Sequence, residues 1–290
     1  MINKLRWNFH FSTIITGLPQ ASLWNFNFTI KQLLRNYTGS YAKRMEQTMQ
    51  LDIISVNQKL RNFSAVERIQ WAVDNFGMDA ILLSSMQKTA SVLMHYFYSL
   101  GLENYILFID TGYHFAETLQ LRDEFITRYK LNMVTLYPDL TIEQQEKLYG
   151  KKLYQYIDGQ KECCRLRKEA PYLSYMKNNG LMLSMVGLRQ TEGGKRSKLE
   201  PLLRDPRIEG YALHPLFDWS DEQIESYLLE NDIPIHPLHN KNYPSIGCEC
   251  CTTPVRPGEN PRAGRWRHLN ESSDNVPKYC NINFSDGSGI

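Results

Sequence analysis

The chain has 290 residues, 42% hydrophobic and 22% charged, with a net charge of +2. That length buries a sizeable core in one large domain or one and a half. The near-balanced charge gives no sign of a nucleic-acid or membrane polyelectrolyte surface, and no apolar run approaches the ~20 residues of a membrane helix.

The first 45 residues contain no Asp or Glu and six Lys/Arg. They superficially match an organellar transit peptide, but read more simply as an N-terminal extension outside the core, spanning residues 1–48. From Met49 the pattern becomes regular. Ser64 with Glu67 forms a capping-box signature for a helix running to about Phe76. Ala80–Ser85 is a short apolar strand, followed by a helical stretch, Lys88–Leu100. Tyr105–Asp110 is a second strand, followed by a helix to about Lys130. Met133–Tyr137 and Leu181–Gly187 are the third and fourth strands, with amphipathic segments between them. Tyr211–Pro215 is a fifth, and Ser220 with Gln223 caps a helix to Asn231. Residues after Leu238 are rich in Gly, Pro, Cys and Arg and read as a C-terminal arm. The expected division is an α/β domain over 49–240 and the arm over 241–290.

Strands alternating with helices imply a parallel sheet covered on both faces. Ligands of such sheets bind at the carboxyl ends of the strands. Ser84, Ser85, Asp110, Gly112, Gly187 and Arg189 all fall at such ends. The turn Ser84–Ser91, with Gln87, offers hydroxyls and backbone N–H groups at a helix start, which suits an anion. It lacks the spacing of a Walker-type phosphate loop.

The six cysteines form two tight groups, Cys163-Cys164 and Cys248-Glu249-Cys250-Cys251, 83 residues apart, plus Cys280. Adjacent cysteines are poor disulfide partners, and thiolate ligands converging on one metal centre fit better. That usage favours a reducing cytoplasm. A directly adjacent pair strains coordination of one small ion but suits two irons of a [4Fe-4S] cluster. The C-x-x-C spacing selects Cys248 and Cys251 and leaves Cys250 over. Arg165, Arg167 and Lys168 beside the pair, Arg189, and Arg262 with Arg265 supply cations matched to phosphate and sulfate oxygens.

Ile109–Tyr113, Cys163–Lys168, Gly187–Arg189, Tyr243–Cys248 and Gly258–Trp266 resemble, in order, the signatures of the APS/PAPS reductase family. The match covers roughly residues 50–283. The resemblance implies an adenine-nucleotide α-hydrolase-like fold and an adenylyl sulfate (APS) substrate, reduced to sulfite and AMP. The cysteine pair with C-x-x-C is similar to the branch that carries a [4Fe-4S] cluster on Cys163, Cys164, Cys248 and Cys251. By motif position, Lys168, Arg262 and Arg265 would hold sulfate and phosphate, and Ser84, Ser85 and Gln87 the nucleotide. Thioredoxin or glutaredoxin would be the reductant. A homo-oligomer is compatible with the sequence.

The family's terminal motif places glycine and histidine after its nucleophilic cysteine. Here Cys280 is followed by Asn281 and, two residues further on, Asn283. The resemblance implies that Cys280 attacks the sulfur of APS and forms an S-sulfocysteine. The alternatives are reduction of the 3′-phosphorylated nucleotide (PAPS) and an inactive cluster-binding homologue.

Overall fold

The computed structural model describes residues 51–270; Cys280 and the 1–48 extension lie outside them. Two helices precede the sheet, α1 (Ile53–Leu60) and α2 (Ala65–Phe76). The expected capping box opens α2: Glu67 N–H donates to Ser64 Oγ at 3.3 Å, and Ser64 N–H donates to Glu67 Oε2 at 2.7 Å. Next come β1 (Ala80–Ser84), α3 (Lys88–Ser99), β2 (Ile106–Ile109), α4 (Ala116–Tyr129) and β3 (Met133–Leu136). α5 (Ile142–Tyr149), α6 (Ile157–Cys164) and α7 (Ala170–Asn178) then lead to β4 (Leu183–Met185). β5 (Leu202–Asp205), β6 (Gly210–Leu213) and α8 (Asp221–Glu230) follow, and the short α9 (Arg267–Asn270) ends the described chain.

The sheet order is β3-β2-β1-β4-β6-β5. Five strands run parallel, in registers such as Leu82↔Ile106, Ile106↔Met133, Ala80↔Leu183 and Leu183↔Tyr211. The sixth, β5, pairs antiparallel with β6 through Leu202↔Leu213. The sequence pattern anticipates the five parallel strands and misses this hairpin. Only its end residues Leu202 and Asp205 are buried, and pairing with β6 is what marks the segment as a strand. β1 is buried at every position, as a central strand covered on both faces must be. One face carries a core of Ile81, Leu107, Ile109, Tyr172, Met176 and Leu188.

The chain moves outward from β1 through β2 to β3, then returns to place β4 on β1's other side. The crevice at the carboxyl ends of β1 and β4 is therefore the switch point where ligands of this architecture bind. Gly187, leaving β4, passes close to the first turn of α3, where a Cβ would stand 2.7 Å from Thr89 Oγ1. On the opposite flank, half-buried Arg207 donates to Glu169 Oε1 at 3.0 Å and to Asp205 Oδ2 at 2.7 Å. It ties the β5–β6 hairpin to the segment between α6 and α7.

Candidate active site

The segment joining α6 to α7, Arg165–Glu169, is a π-helical turn in which Ala170 N–H donates to Arg165 O, five residues back. Pro171 accounts for it. A proline has no N–H for the carbonyl four residues upstream and its ring crowds that carbonyl, here that of Arg167. The widened turn carries Arg167 into the protein and leaves Lys168 half-buried beside the cysteine pair. Arg167 donates to Thr111 O, to Leu140 O at 3.2 Å and to Gln145 Oε1 at 3.2 Å, and lies over the Tyr113 ring. Gly112, at φ +73°, lets the β2 turn approach that guanidinium, since a Cβ there would sit 3.1 Å from Nη2. Asp110 fixes the same turn by accepting from Gly112 N–H at 2.9 Å.

Both cysteine groups line one cavity. Cys163, Cys164, Cys248, Cys250 and Cys251 all face it, with Lys168. The five thiols are not disulfide-bonded. Polar side chains meet three of them. Gln160 donates to Cys164 Sγ at 3.3 Å and Gln145 contacts Cys163 Sγ at 3.9 Å, while Thr111 Oγ1 lies 3.4 Å from Cys248 Sγ. Burial, then the neighbouring Cys248 and Cys251, push the Cys163 thiol up to about 11. Among the described residues, no group of three or more His, Cys, Asp or Glu side chains is arranged to hold a single metal ion.

The arm joins this cavity to the crevice at the carboxyl ends of the strands. Ile246 N–H donates to Gln87 Oε1 at 3.1 Å, and Glu249 N–H donates to Tyr113 O at 2.7 Å. Met86 turns the chain between β1 and α3 at φ +55°. Ser85 is exposed at this turn. The Ser84 hydroxyl faces inward, accepting from Met86 N–H at 3.3 Å against the sulfurs of Met86 and Met94. Arg262 reaches Ser245 Oγ at 3.3 Å. Arg265 is buried over the Trp266 ring and against Gly247, where any Cβ would collide with its guanidinium. Arg189 is engaged elsewhere: it donates to Asp221 Oδ1 at 2.5 Å and to Trp219 O at 3.1 Å, and only its buried Nε lacks a hydrogen-bond partner.

The geometry thus brings Lys168, Arg262, Arg265 and both cysteine groups to the strand ends where Ser85 and Gln87 lie. Sequence reasoning missed Thr111, Gln145 and Gln160, which have no spacing relation to the cysteines. It also missed His114. Its Nε2–H donates to Ile109 O at 2.9 Å, its Nδ1 is buried without a partner, and burial pushes its pKa down to about 4.

A family model, the phosphoadenosine phosphosulfate reductase domain, matches residues 79–254. The chain belongs to this family. The phosphoadenosine phosphosulfate reductase family covers all six strands and the Cys248–Cys251 group. The adenosine 5'-phosphosulfate reductase of Mycolicibacterium smegmatis is 36% identical over 214 residues, which is 74% of this chain and 88% of that protein. The protein of the same name from Halalkalibacterium halodurans is 34% identical over 79% of this chain and 97% of its own length. A crystal structure of the phosphoadenylyl-sulfate reductase of Candida auris in a phosphate complex shares the fold. Its TM-score is 0.62 at 23% identity, covering 70% of this chain and 97% of that one.

Proposed function

We propose that the chain reduces adenylyl sulfate to sulfite and AMP, with a thioredoxin or glutaredoxin as reductant. The observation that carries this reading is the convergence of both cysteine groups and Lys168 on one cavity, joined by the arm to the nucleotide crevice. Ser85, Gln87, Asp110 and Gly112 would shape the nucleotide seat, with Ser84 setting the turn beneath it. Lys168, Arg262 and Arg265 would hold sulfate and phosphate oxygens, and Arg189 would brace the far wall through Asp221.

Cys163, Cys164, Cys248 and Cys251 would hold a [4Fe-4S] cluster. The residues fit it: thiol-directed hydrogen bonds from glutamine and threonine suit anionic sulfur, as is common around metal-bound ligands. Four thiols lining one cavity suit such a centre. When bound, such a cluster supplies a fixed charge distribution beside the sulfate seat.

The Cys280 thiolate attacks the sulfur of the substrate. An Sγ–S bond forms as the bond from sulfur to the bridging oxygen breaks, and AMP leaves with the electron pair. Lys168, Arg262 and Arg265 neutralise the oxygens on which charge accumulates. A reductant thiolate then attacks Cys280 Sγ and releases sulfite, and the mixed disulfide is resolved by the reductant's second thiol. Protein mixed with adenylyl sulfate without reductant should carry a sulfonate adduct on the Cys280 peptide, detected by mass spectrometry. Cys280→Ser should bind nucleotide and release no sulfite. Binding with no adduct on any cysteine would favour the inactive homologue, for which Asn281 and Asn283 speak.

A further inference from the structure

We propose that Cys250 and Cys251 are alternative ligands for the same iron, an inference that rests on the cluster reading above. The C-x-x-C spacing passes over Cys250, yet Cys250 lines the same cavity as the other four thiols. It is partly buried against the cluster of Cys248, Cys251, Trp266 and Leu269. Its Sγ lies 3.7 Å from that of Cys251.

That separation has a simple meaning. Two thiolates at about 2.3 Å from one tetrahedral metal stand roughly 3.8 Å apart. The two sulfurs are therefore spaced to reach a single metal position. The short helical turn Glu249–Cys251 does not by itself impose this arrangement. Successive side chains of a turn with three residues per revolution point about 120° apart, so it is the side-chain torsions that bring both sulfurs to one side. An iron at the corner of a cube has three sulfide neighbours and room for one thiolate. Cys250 and Cys251 consequently take that position one at a time.

Exchange is a substitution with no net oxidation. The bond from iron to Cys250 Sγ forms as that to Cys251 Sγ breaks, and the proton leaving Cys250 passes to Cys251. Loss of either thiol to alkylation or oxidation leaves the corner ligated.

The test is iron and acid-labile sulfide per chain in anaerobically purified protein, with circular dichroism to check folding. Cys250→Ala and Cys251→Ala should each keep more than about half of the wild-type iron and sulfide. The double variant should fall to the level of Cys248→Ala. Wild-type protein lacking iron and sulfide would overturn the cluster reading itself. A loaded wild type with Cys251→Ala as empty as Cys248→Ala would overturn the exchange alone. If Cys251→Ala fails to fold, wild-type holoprotein is treated with iodoacetamide before denaturation. Exchange places label on both Cys250 and Cys251, whereas absence of label from Cys251 overturns it.

Discussion

His214 and Gly247 show how much single residues carry. His214 is fully buried and donates from Nδ1 to Glu200 O at 3.0 Å, and burial pushes its pKa down to about 4. In the unfolded chain the same imidazole titrates near 6.5. Between about pH 6.5 and 4 the unfolded chain binds a proton that the folded chain refuses. Stability is therefore full above 6.5 and falls as pH drops through that window. This group should contribute about 2 kcal/mol to the difference between urea titrations at pH 7.5 and 5.0, and His214→Gln should shrink the difference by about that amount. Gly247→Ala should drive the Arg265 guanidinium from its seat. Steady-state kinetics should show kcat/KM lower by roughly ten- to a hundred-fold, with the thermal midpoint little changed. The grouping of the two sets of cysteines was legible in the sequence, and they line one cavity. Gln145 and Gln160 were not legible there, because a neutral amide meets a thiol only where tertiary packing brings the two together.

At the level of elements, helix starts and parallel strands follow local rules. Ser64→Ala removes one side of the α2 capping box and should cost about 1 kcal/mol in chemical denaturation. The π-helical turn is a different case. Pro171 was present to be read, and a proline within a helical stretch signals a break; what it cannot signal is that the helix widens and continues. Pro171→Ala restores the missing donor to Arg167 O. It should raise or preserve the thermal midpoint while lowering both iron content and kcat/KM, because a regular turn rotates Lys168 away from the cysteines. The β5–β6 hairpin escaped for another reason. Its strands are four residues each, and the Asp205-Pro206 and Glu209-Gly210 pairs at its turn are only weak punctuation without the sheet edge they complete.

For the whole molecule, the alternation of strands and helices was enough to foresee a parallel sheet, but not its order. The switch between β1 and β4 depends on which side of β1 the returning chain enters, and pairing between distant strands settles that. Two global expectations follow from the proposed activity. The cysteine pair with C-x-x-C predicts higher kcat/KM for adenylyl sulfate than for its 3′-phosphorylated form, measured as sulfite release with each substrate. The acid-free composition of residues 1–45 predicts that a chain lacking them keeps wild-type activity and urea midpoint. Arg207 bears on how the protein can be handled. Its grip on Glu169 and Asp205 braces the thiol-bearing segment from the rear with organic contacts alone. The scaffold should then outlast the proposed cluster. Anaerobic chelation should bleach the protein while its circular dichroism stays native, and iron with sulfide should restore the colour without any refolding step. Arg207→Met should make that bleaching irreversible.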